Sequence, residues 1–261
     1  MRVITWNLMG AKESSEAWNI LSDLQPDIAL LQEVIRIPEK IAVSYDIKFQ
    51  PAIGKNGKSQ NFGTAILVKG KIVDELPLSS DYFWVNHELE RFKGNLLSCV
   101  AQTAQIRKLN LISVYSPAWP VDVSKYPGID VTPVKLKSNP KIWLTEILWS
   151  ALKKANLNDI PWIVGGDFNS FITFDASFGS VNREIQERMN ELGLTECLRK
   201  YNGKPVPTFR NRKDGQVAHQ IDHLFVTSDV GSTLGKCTTS DEFIVFGKEI
   251  SDHLPIVADF N

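Results

Sequence analysis

An acid and an amide stand two residues apart in the segment 165–170, directly after the apolar run 160–164. Side chains alternate along an extended chain, so Asp167 and Asn169 are predicted to point the same way while Phe168 turns into the protein. A carboxylate can accept a proton from water or hold a cation, and a carboxamide can donate to an anionic oxygen. We also expect Gly165 and Gly166 to let the backbone bend sharply at the strand end. Two interpretations follow, a catalytic corner or a turn in which Asp and Asn bond their own backbone.

The same arrangement, a polar residue at the edge of an apolar run, recurs in five other segments. These are Asn7 after 3–6, Glu33 after 28–31, Tyr115 after 109–114, Asp222 within 220–226, and Ser251, Asp252 and His253 before 255–260. Strand ends converge at one edge of an α/β sheet, where such proteins build their sites. We therefore expect these side chains to meet.

Strand-like and helical stretches alternate along the chain, which predicts α/β or α+β architecture. Strands are predicted at 1–6, 27–31, 63–68, 71–76, 95–106, 109–115, 160–164, 220–226, 243–246 and 255–260. The four runs from 63 to 115 read as an antiparallel meander with short turns. Helices are predicted after Ser14 or Ser15, from Trp143 to about Leu157, and after Asn182 with Gly193 as its stop. The Pro-rich stretch 116–140 is predicted to be a long, functional loop.

Composition predicts an ordinary globular chain. Its 261 residues show no linker or repeat, so we expect one domain, 1–261. A net charge of −1 excludes a strongly basic global field, while the basic clusters 91–93 and 210–213 either line a phosphate groove or are solvated loops. Three scattered cysteines predict free thiols. No run is long enough to span a membrane and no leader pattern is evident, so we expect a cytoplasmic monomer, with a removed leader left open.

The polar segments also resemble, in chain order, the motifs of the endonuclease/exonuclease/phosphatase superfamily, which has the deoxyribonuclease-I-like fold. They are Ile4-Thr5-Trp6-Asn7, Leu31-Gln32-Glu33, Ser113-Val114-Tyr115-Ser116-Pro117, Gly166-Asp167-Phe168-Asn169, Gln220-Ile221-Asp222-His223 and Ser251-Asp252-His253-Leu254-Pro255. The resemblance runs from residue 4 to the last strand. It implies a four-layer α/β sandwich in which two facing, mostly antiparallel or mixed β-sheets are flanked by helices.

The resemblance also implies a metal-assisted hydrolysis. Glu33 would be the principal ligand of Mg²⁺ or Mn²⁺, with Asn7 and Asp252 near it, and hard oxygen donors suit these ions. Asp167 would orient and deprotonate the attacking water. Asn169 would donate to a phosphate oxygen and hold Asp167 in place.

The remaining implied roles concern the phosphate. His253 would donate to a non-bridging oxygen, and Asp222 would orient its ring and favour its cationic form. Tyr115 would contact the phosphate, with a satisfied core tyrosine as the alternative. Three further residues are candidates for contact with the substrate backbone, and each could equally be structural or solvated: Arg91, Asn61 and Arg210.

Differences between the motifs of this chain and those of individual branches of the family bear on the substrate. Inositol-phosphatase branches carry Trp-Cys-Asp-Arg where this chain has Gln220-Ile221-Asp222-His223, which disfavours them. Abasic-site branches show an Asp-Leu pair where this chain has Phe171-Ile172-Thr173-Phe174-Asp175, which disfavours a dedicated abasic-site role. Thr208-Phe209 resembles the Thr-aromatic step of nuclease branches. We therefore predict a phosphodiester hydrolase, a nuclease acting on DNA or RNA. A phosphomonoesterase, a lipid or small-molecule phosphodiesterase, and a non-catalytic binding module are the alternatives.

Overall fold

The computed structural model describes residues 1–137, 139–170 and 181–261, with the backbone alone for residues 181 and 182. The segment 171–175, which bears on the substrate branch, and the capping side chain of Asn182 lie outside the described residues. None of the helices in the described ranges has the length and apolar character needed to cross a membrane.

Two six-stranded sheets carry the fold. The first contains β1 (Arg2–Ala11), β2 (Ile28–Val34), β3 (Asp46–Ile53), β4 (Ser59–Val68), β13 (Leu234–Thr239) and β14 (Ile256–Phe260), in the order β13-β14-β1-β2-β4-β3. The second contains β5 (Gly70–Glu75), β6 (Leu96–Thr103), β7 (Leu109–Tyr115), β8 (Trp162–Asp167), β9 (Leu194–Glu196) and β12 (Asp222–Thr227), in the order β5-β6-β7-β8-β12-β9. A separate hairpin joins β10 (Phe209–Arg210) to β11 (Val217–His219).

The helices of the described residues are mostly short. They are α1 (Ala17–Leu24), α2 (Glu39–Ala42), α3 (Phe83–Arg91), α4 (Leu144–Lys154), α5 (Val181–Glu191), α6 (Cys197–Asn202), α7 (Ser228–Ser232) and α8 (Glu242–Val245). A 3₁₀ turn, Val123–Lys125, interrupts the long Pro-rich loop.

Three apolar clusters separate the layers. The central cluster is made by residues of both sheets, including Leu30 and Ile66 of the first and Leu111 and Leu224 of the second. A second cluster packs α3, α4 and α5 against the outer face of the second sheet, and a third packs α1 against the first sheet. The predicted four-layer α/β sandwich is therefore confirmed. Burial of these apolar faces, at about 25 cal/mol per Å², supplies the main stabilising term.

Strand register brings the polar strand ends together. In the first sheet β1 runs parallel to β2, which places Asn7 opposite Gln32 and beside Glu33. In the second sheet β8 runs parallel to β7 and antiparallel to β12. Tyr115 and Asp222 therefore both lie opposite Asp167, one on each side.

Several predicted elements differ from the structure. The predicted meander from 63 to 115 is wrong, because β4 belongs to the first sheet, β5 to the second, and α3 separates β5 from β6. The predicted strand 243–246 is also wrong, because α8 occupies it. The Asp241 side chain caps that helix by accepting a hydrogen bond from the Phe243 N–H at 2.8 Å. The strands β3 and β13 were not predicted.

The two glycines before Asp167 do not form a bend. Both lie inside β8, in register with β7 and β12. A Cβ on Gly165 would meet Leu30 of the facing sheet at 3.1 Å, and one on Gly166, whose φ is +154°, would meet the Val114 carbonyl oxygen at 1.9 Å. The glycines therefore allow close approach between layers and between strands, rather than a sharp turn.

Candidate active site

Asp167 is the centre of the site and is 2% exposed. Its carboxylate accepts hydrogen bonds from the Asn169 backbone N–H at 2.9 Å and from the Asn7 amide at 3.1 Å. The Asn169 amide lies 3.2 Å from the same carboxylate and donates to the Ser116 carbonyl at 2.7 Å. Asn169 has φ +48°, in the left-handed region that Asn tolerates better than most residues. The corner is thus a turn of the Asx type, and this turn leaves the Asp167 carboxylate beside His253.

His253 and Asp222 form a buried pair beside Asp167. The His253 Nδ1 lies 2.9 and 3.1 Å from the two Asp222 carboxylate oxygens, and its Nε2 lies 4.0 Å from Asp167 Oδ2. Burial by itself lowers the pKa of His253, but the Asp222 and Asp167 carboxylates outweigh it and raise that pKa to about 10. The ring therefore carries its proton at neutral pH, with Nε2 facing Asp167.

The environment of Asp167 also raises its pKa, which for a carboxyl group favours the neutral form. Burial, partly opposed by the His253 cation, raises the pKa of Asp167 to about 7, and the nearby Asp222 carboxylate adds to the increase. A carboxylate with a pKa near neutrality can both lose and accept a proton in that range, which suits a general base.

Glu33 is joined to this centre through Asn7. The side-chain amide nitrogen of Asn7 donates to Glu33 Oε1 at 3.2 Å and also to Asp167. The side-chain oxygen Oδ1 of Asn7 accepts from the Met9 N–H at 3.0 Å. Glu33 adopts a left-handed φ of +53°, an unusual conformation for a glutamate at a strand end. Such strain concentrates where a side chain must be aimed at a site.

Tyr115 lies at the same rim. Burial first, and then the Glu33 and Asp167 carboxylates, raise the pKa of Tyr115 well above its usual range, so its hydroxyl stays protonated. Its ring meets the Phe62 ring edge-on with centroids 5.5 Å apart. Asn61, directly before that phenylalanine on β4, is exposed, and its role as a contact with substrate stays a prediction.

Arg91 and Arg210 are held by protein partners. The Arg91 guanidinium lies 3.2 Å from the fully buried Glu88 and 4.7 Å from the Phe92 ring centroid. Arg210 donates to the Phe246 carbonyl at 2.8 Å and covers the Phe246 ring at 5.1 Å. Structural partners thus account for the positions of both guanidinium groups.

Sequence reasoning assigned no role to several residues that build the site. The Ser251 hydroxyl donates to the backbone carbonyl of Asn7 at 2.7 Å and accepts from the backbone N–H of His253 at 3.0 Å. It therefore links β1 to the histidine. Trp6 Nε1 donates to the His253 carbonyl at 2.8 Å. Thr208 Oγ1 accepts from the Asp222 N–H at 3.2 Å. All three residues lie inside or beside the sequence motifs, and this position is the feature of the sequence that could have indicated them.

Asp252 extends the acidic site next to Nε2 of His253. Its Oδ1 lies 3.9 Å from His253 Nε2, and its Oδ2 lies 2.7 Å from Nε of Arg212, on the β10–β11 hairpin. The Phe209 ring of the same hairpin lies 5.0 Å from the His253 ring. The hairpin therefore forms one wall of the site.

The donor set fits a hard divalent ion. Asp167, Asp222 and His253 offer ligand atoms that all lie within 4.8 Å of one another. Both Asp222 oxygens, however, already face His253 Nδ1, so this pair is satisfied internally. The oxygens of Glu33 and Asn7 are of the type that Mg²⁺ and Mn²⁺ prefer.

Comparisons with known proteins agree with this geometry. Residues 4–253 match the Endonuclease/Exonuclease/phosphatase family. A search of curated proteins found no match. Among solved structures, an AP endonuclease from Archaeoglobus fulgidus is similar at TM-score 0.69 and 18% identity, covering 100% of this chain and 99% of that one.

Two Neisseria structures are similar as well. A 3′ phosphatase bound to product DNA hairpin gives TM-score 0.66 at 18% identity, covering 100% of this chain and 99% of that one. A 3′-5′ exonuclease from Neisseria meningitidis gives 0.63 at 17% identity, with 100% of both chains covered. At these identities the likenesses establish the fold.

Proposed function

Because the chain belongs to the Endonuclease/Exonuclease/phosphatase family, whose members are phosphoesterase hydrolases, we propose that it is a divalent-metal-dependent phosphodiesterase acting on nucleic acid. The observation that carries the proposal is the buried group of Asp167, Asp222 and His253, which places a base and a cationic donor within 4.8 Å of each other. Water attack on a phosphate ester needs both.

Asp167 would act on the water. Its carboxylate is aimed by the Asn169 backbone N–H and the Asn7 amide, which leave it acceptor capacity for a water proton. Because burial raises the pKa of Asp167 to about 7, it accepts a proton more readily than an ordinary aspartate would. Correct placement of the water is a further contribution.

His253 would act on the phosphate. Its Nδ1 is bound by Asp222, so Nε2–H is free to donate to a non-bridging oxygen, which gains charge in the transition state. Trp6 and Ser251 hold its backbone on both sides, which limits ring movement. Tyr115 and Asn169 are proposed as further phosphate donors.

A bound Mg²⁺ or Mn²⁺ would supply charge neutralisation at the phosphate and leaving oxygens. We propose that Glu33 and Asn7 hold it, with Asp252, whose Oδ2 accepts from Arg212, near it. Asn7 lies between Glu33 and Asp167, so it would set the distance between the ion and the base.

Two features support a polynucleotide substrate. The β10–β11 hairpin, which forms one wall of the site, carries the exposed cations Arg212 and Lys213, and phosphate backbones are bound through such groups. The similar solved structures include an AP endonuclease and a 3′-5′ exonuclease. A phosphomonoesterase is the second candidate, favoured by the similar 3′ phosphatase bound to product DNA hairpin.

The test is a substrate panel with the purified chain. Single- and double-stranded DNA, abasic duplex, RNA, a 3′-phosphorylated strand and simple phosphate esters are incubated with Mg²⁺ or Mn²⁺, and again with EDTA. We expect metal-dependent cleavage of a polynucleotide, abolished in His253→Ala and retained in the surface variant Asp159→Asn. Cleavage restricted to terminal phosphates would favour the monoesterase, and no cleavage of any ester would refute the enzymatic proposal.

A further inference from the structure

Arg212 reaches into the site from the β10–β11 hairpin. Its Nε lies 2.7 Å from Asp252 Oδ2, and the same guanidinium contacts the Met9 sulfur. The Arg212 side chain is 61% exposed while that of Asp252 is 15% exposed, so the pair lies at the mouth of the site rather than in the core. A surface pair of this kind contributes little to stability.

The ion pairs of the site divide its carboxylates into two groups. Asp222 is paired with His253, and Asp252 is paired with Arg212. Glu33 and Asp167 have no lysine or arginine within ion-pair distance in the part of the chain that the structure describes. Glu33, which is linked to Asp167 through the Asn7 amide, therefore remains available for a divalent ion.

The Asp252 side is poorly equipped for a second ion. The strand β1 reaches this corner with Met9, whose thioether is a soft and weak ligand for Mg²⁺ or Mn²⁺. One Asp252 oxygen already accepts from Arg212. A second ion on Asp252 would therefore lie next to a bound guanidinium, which repels it, and would have to find its other ligands in water.

We propose that Arg212 is a tethered cation that takes the place of a second divalent ion, so that the site binds one ion on the Glu33 side. The guanidinium is planar and has five N–H donors. With Nε–H on Asp252, the outer N–H groups can donate to a phosphate oxygen of the substrate. This last step rests on the proposed phosphodiesterase function, whereas the ion count does not.

The experiment measures how many ions the full chain binds in the absence of substrate. Mn²⁺ is titrated into wild type, Arg212→Ala, Arg212→Lys and Lys213→Ala, and free Mn²⁺ is followed by electron paramagnetic resonance. We expect one ion in wild type, one in Arg212→Lys, and two in Arg212→Ala, because the freed Asp252 carboxylate recruits a further ion. Lys213→Ala removes a positive charge from the same hairpin and should still bind one.

A second readout locates the ion. Glu33→Gln should lose the single ion of the wild-type chain, and in Arg212→Ala the dependence of rate on metal concentration should become steeper. Wild type binding two ions, or Arg212→Ala still binding one with unchanged affinity, would overturn the inference while leaving hydrolysis intact. The predicted ion counts without cleavage of any ester would refute the proposed function alone. A wild-type chain that binds no ion would refute both.

Discussion

At the scale of single residues, burial and neighbouring charges set the protonation of the groups in the site. Asp167 is deeply buried, which disfavours its charge, yet it accepts from two amides and faces a histidine cation. His253 keeps its proton because two carboxylates outweigh its burial. Both pKa values are raised, so the proposed base, Asp167, accepts a proton near neutral pH while the proposed donor, His253, keeps its own.

Asp222→Asn tests the histidine. The amide can still accept from Nδ1 but no longer supplies the negative charge that favours the cationic ring, so Nε2 becomes a weaker donor. We expect kcat to fall on the order of 10²-fold with KM changed far less, measured by steady-state hydrolysis of the best substrate. Asp159→Asn is the matched control. A kcat within a few-fold of wild type would show that Asp222 has no such role.

Sequence motifs predicted the residues that meet at the site, because strand ends and family order both indicated them. They could not show the Arg212–Asp252 pair, since 40 residues separate its members and only the folded hairpin brings them together. They also could not show that Arg91 is bound by the buried Glu88, because pairing of a cation depends on its three-dimensional neighbours.

At the scale of elements, strand β8 leaves no room for a side chain at Gly166. Gly166→Ala would force a Cβ to within 1.9 Å of the Val114 carbonyl in the adjacent strand β7. Since backbone cannot yield as a flexible side chain does, we expect a loss of unfolding free energy of about 3 kcal/mol or more, measured by urea denaturation. In Gly231→Ala the nearest atom is 3.4 Å away, within a helix, so this control should be neutral or stabilising by about 0.5–1 kcal/mol. Equal stability of the two variants would contradict the account.

The helix α4 contains a second strongly perturbed carboxyl group. Burial raises the pKa of Glu146 to about 7 from 4.5, although it accepts from Thr145 and the Trp143 N–H. The native state therefore binds this proton more tightly than the unfolded state, so the stabilising contribution is present below pH 4.5 and is lost as pH rises through about 7.

Glu146→Gln keeps the acceptor oxygen and removes the charge. Relative to this variant, wild type should lose on the order of 3 kcal/mol of unfolding free energy between acid pH and pH 8.5. Urea unfolding at a series of pH values measures the difference, with the exposed Glu187→Gln as control. A pH-independent difference between wild type and Glu146→Gln would contradict the burial argument.

Most elements that flank the site were predicted from sequence, because the apolar runs of β1, β2, β7, β8 and β12 are continuous. The failures have local causes. At 243–246 the cap supplied by Asp241 overrides the β-propensity of the apolar residues. The strand β13 has a weak pattern, Leu-Gly-Lys-Cys-Thr-Thr, and is specified by pairing with β14.

At the scale of the whole molecule, the two sheets meet through polar as well as apolar contacts. Gln32 of β2 donates to Ser113 Oγ of β7 at 3.0 Å, and that hydroxyl donates to the Leu31 carbonyl at 3.2 Å. Gln32 is the residue before Glu33, so this bridge connects the Glu33 end of β2 with the sheet that carries Asp167. The alternation of strands and helices predicted two covered sheets, but which strands face each other is set by long-range pairing that no local pattern encodes.

The reactivity of the three cysteines measures how well the packed interior excludes reagent and solvent. Cys99, Cys197 and Cys237 are all buried free thiols, and burial raises the pKa of Cys99 to about 12. We expect no fast reaction with Ellman's reagent at pH 8 in the native protein, and reaction of all three thiols after unfolding in urea. Rapid stoichiometric labelling of the native chain would contradict the described packing.

The most direct test of the account compares hydrolysis by wild type and Asp167→Asn at saturating Mg²⁺, under conditions where both chains are folded by circular dichroism. Asn keeps the acceptor for the Asn169 backbone N–H but cannot take a proton from water. We predict that the rate falls by about 10²–10⁴-fold, the contribution expected of a general base. An Asp167→Asn rate within about threefold of wild type would contradict the assignment of Asp167 as the base.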